Sequence, residues 1–268
     1  VNIAWATDIH LNFLGRLPKR RYAFYHELRD TNADAVLLTG DIADAPSVCR
    51  FLTELEVVLA RPIYFVLGNH DFYHGSVKQV RADVRKLCSE SKHLVYLPDE
   101  GPIALGDTGC LVGVDGWGDG GNGDRDRFVL LNDYDLIAEY TEMGWSRPEL
   151  LKEMDRRGKV EATVAAEQLK LAFDHFTDIV FATHVPPFVE AAWHEGKHSE
   201  PAWQCGFTCR AVGALLRAKM EAHPEHRMMV VCGHTHGEGK AEILPNLFTW
   251  TAGAQYAQPR LEAVLEYA

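Results

Sequence analysis

The stretch "YFVLGNHDFYHG", residues 64–75, decides how the rest of the chain is read. An apolar run stops at Gly68 and is followed at once by Asn69, His70 and Asp71, an amide, an imidazole and a carboxylate on consecutive positions. Turn chemistry accounts for Gly68 and Asn69. It does not account for two more groups able to hold a cation or carry a proton. The same transition recurs in "IAWATDIH" (3–10), "AVLLTGD" (35–41), "IVFATH" (179–184) and "MMVVCGHTH" (228–236), each ending on a residue type that binds metals.

Between these runs lie longer amphipathic segments, "KRRYAFYHELRD", "SVCRFLTELEVVLA" and "SVKQVRADVRKLCSES". Strand-like and helix-like stretches in alternation predict βαβ units. In open α/β sheets, ligand sites gather beyond the carboxyl ends of the strands. Asp8, His10, Asp41, Asn69, His184, His234 and His236 are therefore expected to converge. Asp8 and His10 are two apart, as are His234 and His236, which on an extended segment puts each pair on one side. Carboxylates, imidazoles and an amide oxygen without thiolates suit divalent Mn, Fe or Zn, with Mg also compatible, and disfavour a structural zinc site.

The 268 residues are expected to form one domain, 1–268, with insertions near 115–133 and 186–206. A formal net charge of -11 argues against general affinity for nucleic acid or anionic membranes. With no bilayer-length apolar stretch and no leader at the start, the sequence reads as soluble and cytoplasmic. Six scattered cysteines, of which Cys205 and Cys209 are the one close pair, read as reduced structural thiols.

Short strands are predicted in "HLVYLP", "GPIAL" and "GCLVGVDGW", as an antiparallel stretch or a turn into a second sheet. Residues 115–133, "DGWGDGGNGDRDRFVLLND", read as a long solvated surface loop, since their acidic groups lack the spacing of an EF-hand. Helices are predicted near 147–157 and 162–176 and within 207–222, and strands in "KAEILP", "LFTWTAG" and "RLEAVLEY".

Taken together, Asp8-Ile9-His10, Gly40-Asp41 with Asp44, Gly68-Asn69-His70-Asp71, Thr183-His184 and Gly233-His234-Thr235-His236 resemble the motifs of the calcineurin-like metallophosphoesterase superfamily. The resemblance implies a four-layer αββα sandwich of two mixed β-sheets flanked by helices. It implies one metal held by Asp8, His10, Asp41 and His236, a second held by Asp41, Asn69, His184 and His234, and Asp41 bridging them. Two cations about 3.5 to 4 Å apart can acidify a bridging water for in-line attack on a phosphoester. The resemblance also places His70 near the leaving group, with Asp44 holding its ring. Asp71 is left to order the turn.

Within that superfamily, the Ser/Thr phosphatases carry Arg-Gly where this chain has Ala45-Pro46, and purple acid phosphatases carry a tyrosine where it has Asp44. The Gly68-Asn69-His70-Asp71 ending resembles the phosphodiesterase and nuclease branches, a resemblance that implies a small phosphodiester or nucleotide-like substrate. The alternatives are a phosphomonoesterase, a nuclease, and a non-catalytic scaffold that uses the pocket to dock a partner. The segment 189–206, with Trp193, His194, Lys197, His198 and Trp203, reads either as a lid or base-stacking wall or as a loop packed on the core, and Phe72, Tyr73 and His74 pose the same choice on the opposite rim.

Overall fold

The computed structural model describes residues 1–15, 18–144 and 146–267. Along the chain run β1 (Asn2–Ala6), α1 (Pro18–Arg29), β2 (Ala35–Thr39), α2 (Val48–Leu59), β3 (Ile63–Val66), α3 (Val77–Glu90) and β4 (Leu94–Tyr96). Then follow β5 (Ile103–Leu105), β6 (Gly109–Gly113), the short α4 (Asp133–Leu136) and α5 (Ala138–Thr141), α6 (Arg147–Phe173) and β7 (Asp178–Ala182). The hairpin strands β8 (Trp193–His194) and β9 (Lys197–His198) precede α7 (Pro201–Phe207), α8 (Arg210–Ala222), β10 (Arg227–Cys232), β11 (Gly239–Leu244), β12 (Leu247–Thr251) and β13 (Ala263–Glu266).

Two mixed sheets result. The first has the order β13-β1-β2-β3-β4, parallel except for β13, and the second the order β11-β12-β10-β7-β6-β5. Strands covered on both faces read as continuous apolar runs rather than alternating ones, and β1, β2 and β7 do so. Ile3, Trp5, Leu37, Val66, Leu111, Val180 and Val231 form the layer between the sheets. Helices cover the outer faces, α2 through Val48, Phe51, Leu52, Leu55 and Leu59, which lie along one stripe. The expected αββα layering is therefore observed, and β5 pairs antiparallel with β6 at the edge of the second sheet. Among the described residues, no helix is long and apolar enough to cross a membrane.

Two expectations are corrected. The two helices read near 147–157 and 162–176 are one helix, α6. Its buried stripe includes Arg157, Glu161 and Gln168, polar residues that interrupt the apolar periodicity, and Gly158, where a Cβ would press on Asp119. The segment 115–133 is a loop that is only partly solvated: 115–120, Phe128 and Asp133 are buried, whereas 121–127 and 129–132 are partly or fully exposed. The buried carboxylates are satisfied from inside the protein. Asp115 Oδ2 accepts from Arg81 at 2.7 Å and from the Tyr96 hydroxyl at 2.6 Å, while Asp119 accepts the Ala211 N–H at the start of α8 at 2.7 Å. All six cysteines are free, and Cys205 and Cys209 are buried, as expected.

Candidate metal centre

Each ligand-bearing motif begins where a buried strand ends. Asp8, His10, Asp41, His234 and His236 have φ of 49°, 39°, 51°, 70° and 57°. The Asp8/His10 and His234/His236 pairs are thus not extended, and spacing on a strand is not what aims them. The left-handed region costs an L-residue roughly 1–2 kcal/mol, and such strain persists where the surroundings over-determine it. Here backbone bonds knit the loops together: Asp8 N–H donates to Gly40 O at 3.1 Å and His10 N–H to Asp41 O at 2.9 Å. The glycines of the motifs make room for carboxylates. A Cβ on Gly68 would overlap Asp41 Oδ1, and one on Gly233 would overlap Asp8 Oδ2.

Two groups of donor atoms meet at Asp41. Asp8, His10, Asp41 and His236 each place one ligand atom within 4.8 Å of the others, with His236 Nε2 at 3.2 Å from both Asp8 Oδ1 and His10 Nε2. On the other side of Asp41, Asn69 Oδ1 lies 3.1 Å from His184 Nε2 and 3.0 Å from His234 Nδ1, and those two nitrogens are 3.2 Å apart. Asp41 faces the first group with Oδ2, 3.7 Å from His10, and the second with Oδ1, 3.3 Å from His184.

The second group can be tested for its fit to a cation. His184 Nδ1 is 2.9 Å from the Thr39 carbonyl and His234 Nε2 is 3.1 Å from the Gly206 carbonyl, so in each neutral ring those nitrogens carry the proton. The Asn69 amide nitrogen donates to Asp133 Oδ1 at 2.7 Å and to the Tyr73 hydroxyl at 3.0 Å, which turns its oxygen toward the imidazoles. Two ring lone pairs, an amide oxygen and a carboxylate oxygen then face one another with no proton donor among them. A divalent ion placed among them would satisfy all four.

The electrostatics agree. Burial pulls His234 down to about 3 and His10 down to about 4, keeping both rings neutral. Burial also opposes charge on His184, but the carboxylates of Asp41 and Asp8 outweigh it and push this ring up to about 10. Asp41 sits well below the ordinary carboxylate range, burial being overcome by His184 and His70. Without metal, a proton on His184 occupies the place of a cation.

His70 lies beside the cluster, its Nε2 4.0 Å from Asp41 Oδ2, and its ring packs 4.2 Å from Tyr73 and 4.6 Å from His10. Among the described residues no hydrogen bond joins His70 to Asp44, whose Oδ1 accepts the Ser47 hydroxyl and whose carbonyl accepts the Val48 N–H at 2.8 Å at the start of α2. Asp71 is buried and accepts the Ala43 N–H at 2.7 Å and the Gly68 N–H at 2.8 Å, ordering both turns.

A cleft of about 260 Å³ opens over the cluster, lined on one side by His194, Trp203 and Phe207 and on the other by Tyr73 and Tyr256. The segment 189–206 thus divides between both readings. His194 and Trp203 face the cleft, whereas Trp193 stacks on His198 at 4.0 Å and against Gly239, and Lys197 pairs with Glu200 at 2.7 Å. On the opposite rim Tyr73 lines the cleft, Phe72 is buried against Trp117, and His74 is exposed. Sequence reading did not single out Asp133, Phe207 or Tyr256. Tyr256 follows a strand with no motif around it, and Asp133 lies in the segment taken for a loop.

The family model for calcineurin-like phosphoesterase matches residues 1–238. No curated protein sequence matches the chain significantly. Among solved structures, phosphopantetheinyl hydrolase from Mycobacterium tuberculosis is 15% identical over 97% of this chain and 94% of its own, with a TM-score of 0.65. A dimetal phosphatase from Danio rerio is 13% identical over 94% of this chain and 87% of its own, with a TM-score of 0.53. At such identities the likeness is one of fold.

Proposed function

The chain belongs to the calcineurin-like phosphoesterase family, and on that premise we propose that it hydrolyses a small phosphodiester or nucleotide-like substrate with two divalent metal ions. The observation that carries this reading is the convergence of His184 Nε2, His234 Nδ1 and Asn69 Oδ1 within 3.2 Å of one another, acceptors facing acceptors, beside a carboxylate shared with a second ligand group. Asp8, His10, Asp41 and His236 would hold one ion, and Asp41, Asn69, His184 and His234 the other. Ions bound there supply positive charge for the phosphoryl oxygens and an acidified water. The donor set suits Mn, Fe or Zn, and tolerates Mg.

The chain's own residues divide the remaining work. His70 borders the cluster without belonging to it and faces the cleft, where its ring can donate a proton to the leaving oxygen or stabilise negative charge on it. Thr39 and Gly206 fix the tautomers of His184 and His234, and Asp133 fixes the Asn69 amide. Phe207 and Trp203 shield the second ligand group from bulk water. A scaffold that had abandoned catalysis would have no use for a complete ligand set together with His70.

Elemental analysis of the purified protein, joined to a hydrolysis panel of aryl phosphomonoesters, aryl phosphodiesters, cyclic nucleotides and single-stranded DNA, tests this reading. Bound metal with diester turnover is the expected result. A preference for monoesters would overturn the substrate class, and metal-loaded protein inert toward the whole panel would overturn the activity.

A further inference from the structure

The floor of the cleft is polar, but its walls are aromatic, and each half of the ligand cluster has its own wall. Beside the first half, the Tyr256 ring lies 4.7 Å from His10 and 4.9 Å from His236, and Phe13 packs on it at 4.8 Å. Beside the second, Phe207 lies 5.4 Å from His234, with Trp203 5.1 Å further out. Trp203 and Phe207 are four residues apart in α7, so they share a helix face. His194 closes that wall, 5.1 Å from Trp203 and 5.3 Å from Phe207.

Two features suggest that a ligand completes this arrangement. Tyr256, which lines the cleft, and Phe13, packed on it, are 48% and 49% exposed, leaving a pair of large aromatic rings open to water beside the cleft. The wall is also in fixed register with the floor, because the Gly206 carbonyl of α7 accepts from the ring of His234 at 3.1 Å. A ring on Trp203 and a phosphoryl group over the cluster would be held at a set separation.

We propose that the cleft recognises phosphoesters carrying a flat aromatic ring, laid against Trp203 and Phe207 while the phosphoryl group sits over the ligand cluster. This inference rests on the phosphoester reading above and names the substituent that the site selects. At about 260 Å³ the cleft is small for a ligand pocket, most of which run from roughly 300 to 1,000 Å³. That is room for one ring with its phosphate. Stacking accepts any flat π-face, so a nucleobase and a simple aryl group share the same chemistry.

The test measures equilibrium binding of adenosine 5′-monophosphate, phenyl phosphate, ethyl phosphate and inorganic phosphate to the manganese-loaded protein by calorimetry. The ring-bearing ligands are expected to bind about 5- to 150-fold more tightly than ethyl phosphate, the range that one stacked ring supplies. Trp203→Leu should collapse that ratio, and Trp203→Phe should largely keep it, with metal content checked in each variant. The order of adenosine monophosphate and phenyl phosphate distinguishes a base-selective wall from a general aryl one, and either order supports the proposal. Equal binding of ethyl and ring-bearing esters, or an unchanged ratio in Trp203→Leu, overturns it while leaving the phosphoester reading intact. Failure of all four ligands, inorganic phosphate included, overturns both.

Discussion

Asp133 Oδ1 lies 2.7 Å from Asn69 Nδ2 and 2.7 Å from the Tyr73 hydroxyl, so one buried carboxylate decides which end of the Asn69 amide faces the metal site. Without that acceptor the amide can turn and offer N–H groups where lone pairs are needed. Asp133→Ala should weaken the second metal position about 10- to 100-fold, the usual effect of losing a partner behind a ligand. The first position should be much less affected. Calorimetric titration with manganese separates the two sites, and equal weakening of both would show that Asp133 acts on the fold rather than on Asn69.

His70 and Asp41 should fail in different ways. His70→Ala keeps every proposed ligand and should retain both metals while losing about 100- to 10,000-fold in turnover, the range of a lost acid–base group. Asp41→Asn removes the carboxylate common to both groups and should empty the site. Metal content per chain, measured beside turnover, distinguishes these outcomes. Equal loss of metal in the two variants would contradict the separation.

The seven candidate ligands were legible in the sequence because each ends an apolar run, and strand order places those ends together. Spacing on an extended strand is not what aims the paired residues. Asp8 and His10 are aimed by left-handed backbone and by bonds to the Gly40–Asp41 loop, neither of which leaves a mark in residue spacing. Asp133 was hidden for a different reason. An aspartate in a glycine-rich stretch looks solvated until its partner is known, and Asn69 is 64 positions away. The continuous α6 was obscured in the same way, since Glu161 faces inward to meet Arg81 at 2.7 Å and the Gly116 N–H at 3.3 Å, partners far away in sequence. Asp44 shows the converse: the motif suggests a partnership with His70, whereas the one hydrogen bond that its carboxylate makes among the described residues is to the Ser47 hydroxyl at the start of α2.

Metal-free protein should be most stable near neutral pH. His184 is raised from 6.5 to about 10, so its protonated form contributes stability that is complete below pH 6.5 and lost as pH climbs toward 10. His10 and His234 are lowered from 6.5 to about 4 and about 3, so the stability they contribute above pH 6.5 disappears as pH falls through those values. A metal held by His184, as proposed, would displace that proton and should remove the alkaline loss. Thermal melts from pH 5 to 10, with chelator and with manganese, would show it. An alkaline limb that is already flat in chelator would refute the assignment of a proton to His184.

The buried group behind the site makes a stability prediction. Asp115 Oδ1 accepts the Leu67 N–H at 2.7 Å, its carbonyl accepts the His184 N–H at 2.8 Å, and its Oδ2 binds Arg81, which also reaches Glu161. One residue therefore ties the loop that carries Asn69 in the first sheet to the loop that carries His184 in the second. Arg81 stays charged because Asp115 and Glu161 outweigh the burial that opposes it. Asp115→Ala removes the contact made by two guanidinium nitrogens and leaves a partly exposed guanidinium with one carboxylate, together with an orphaned Leu67 N–H. Breaking one side of a fully buried charge pair typically costs about 3–5 kcal/mol, and the water that reaches Arg81, 19% exposed, lowers that cost. A loss of about 1–3 kcal/mol in urea-induced unfolding is expected. Replacing Arg81 and Asp115 together, as Arg81→Met with Asp115→Ala, should cost less than the sum of the single changes, because no unpaired charge on Arg81 remains. Strict additivity in that double-mutant cycle would mean that the two side chains are not energetically coupled, whatever their 2.7 Å separation.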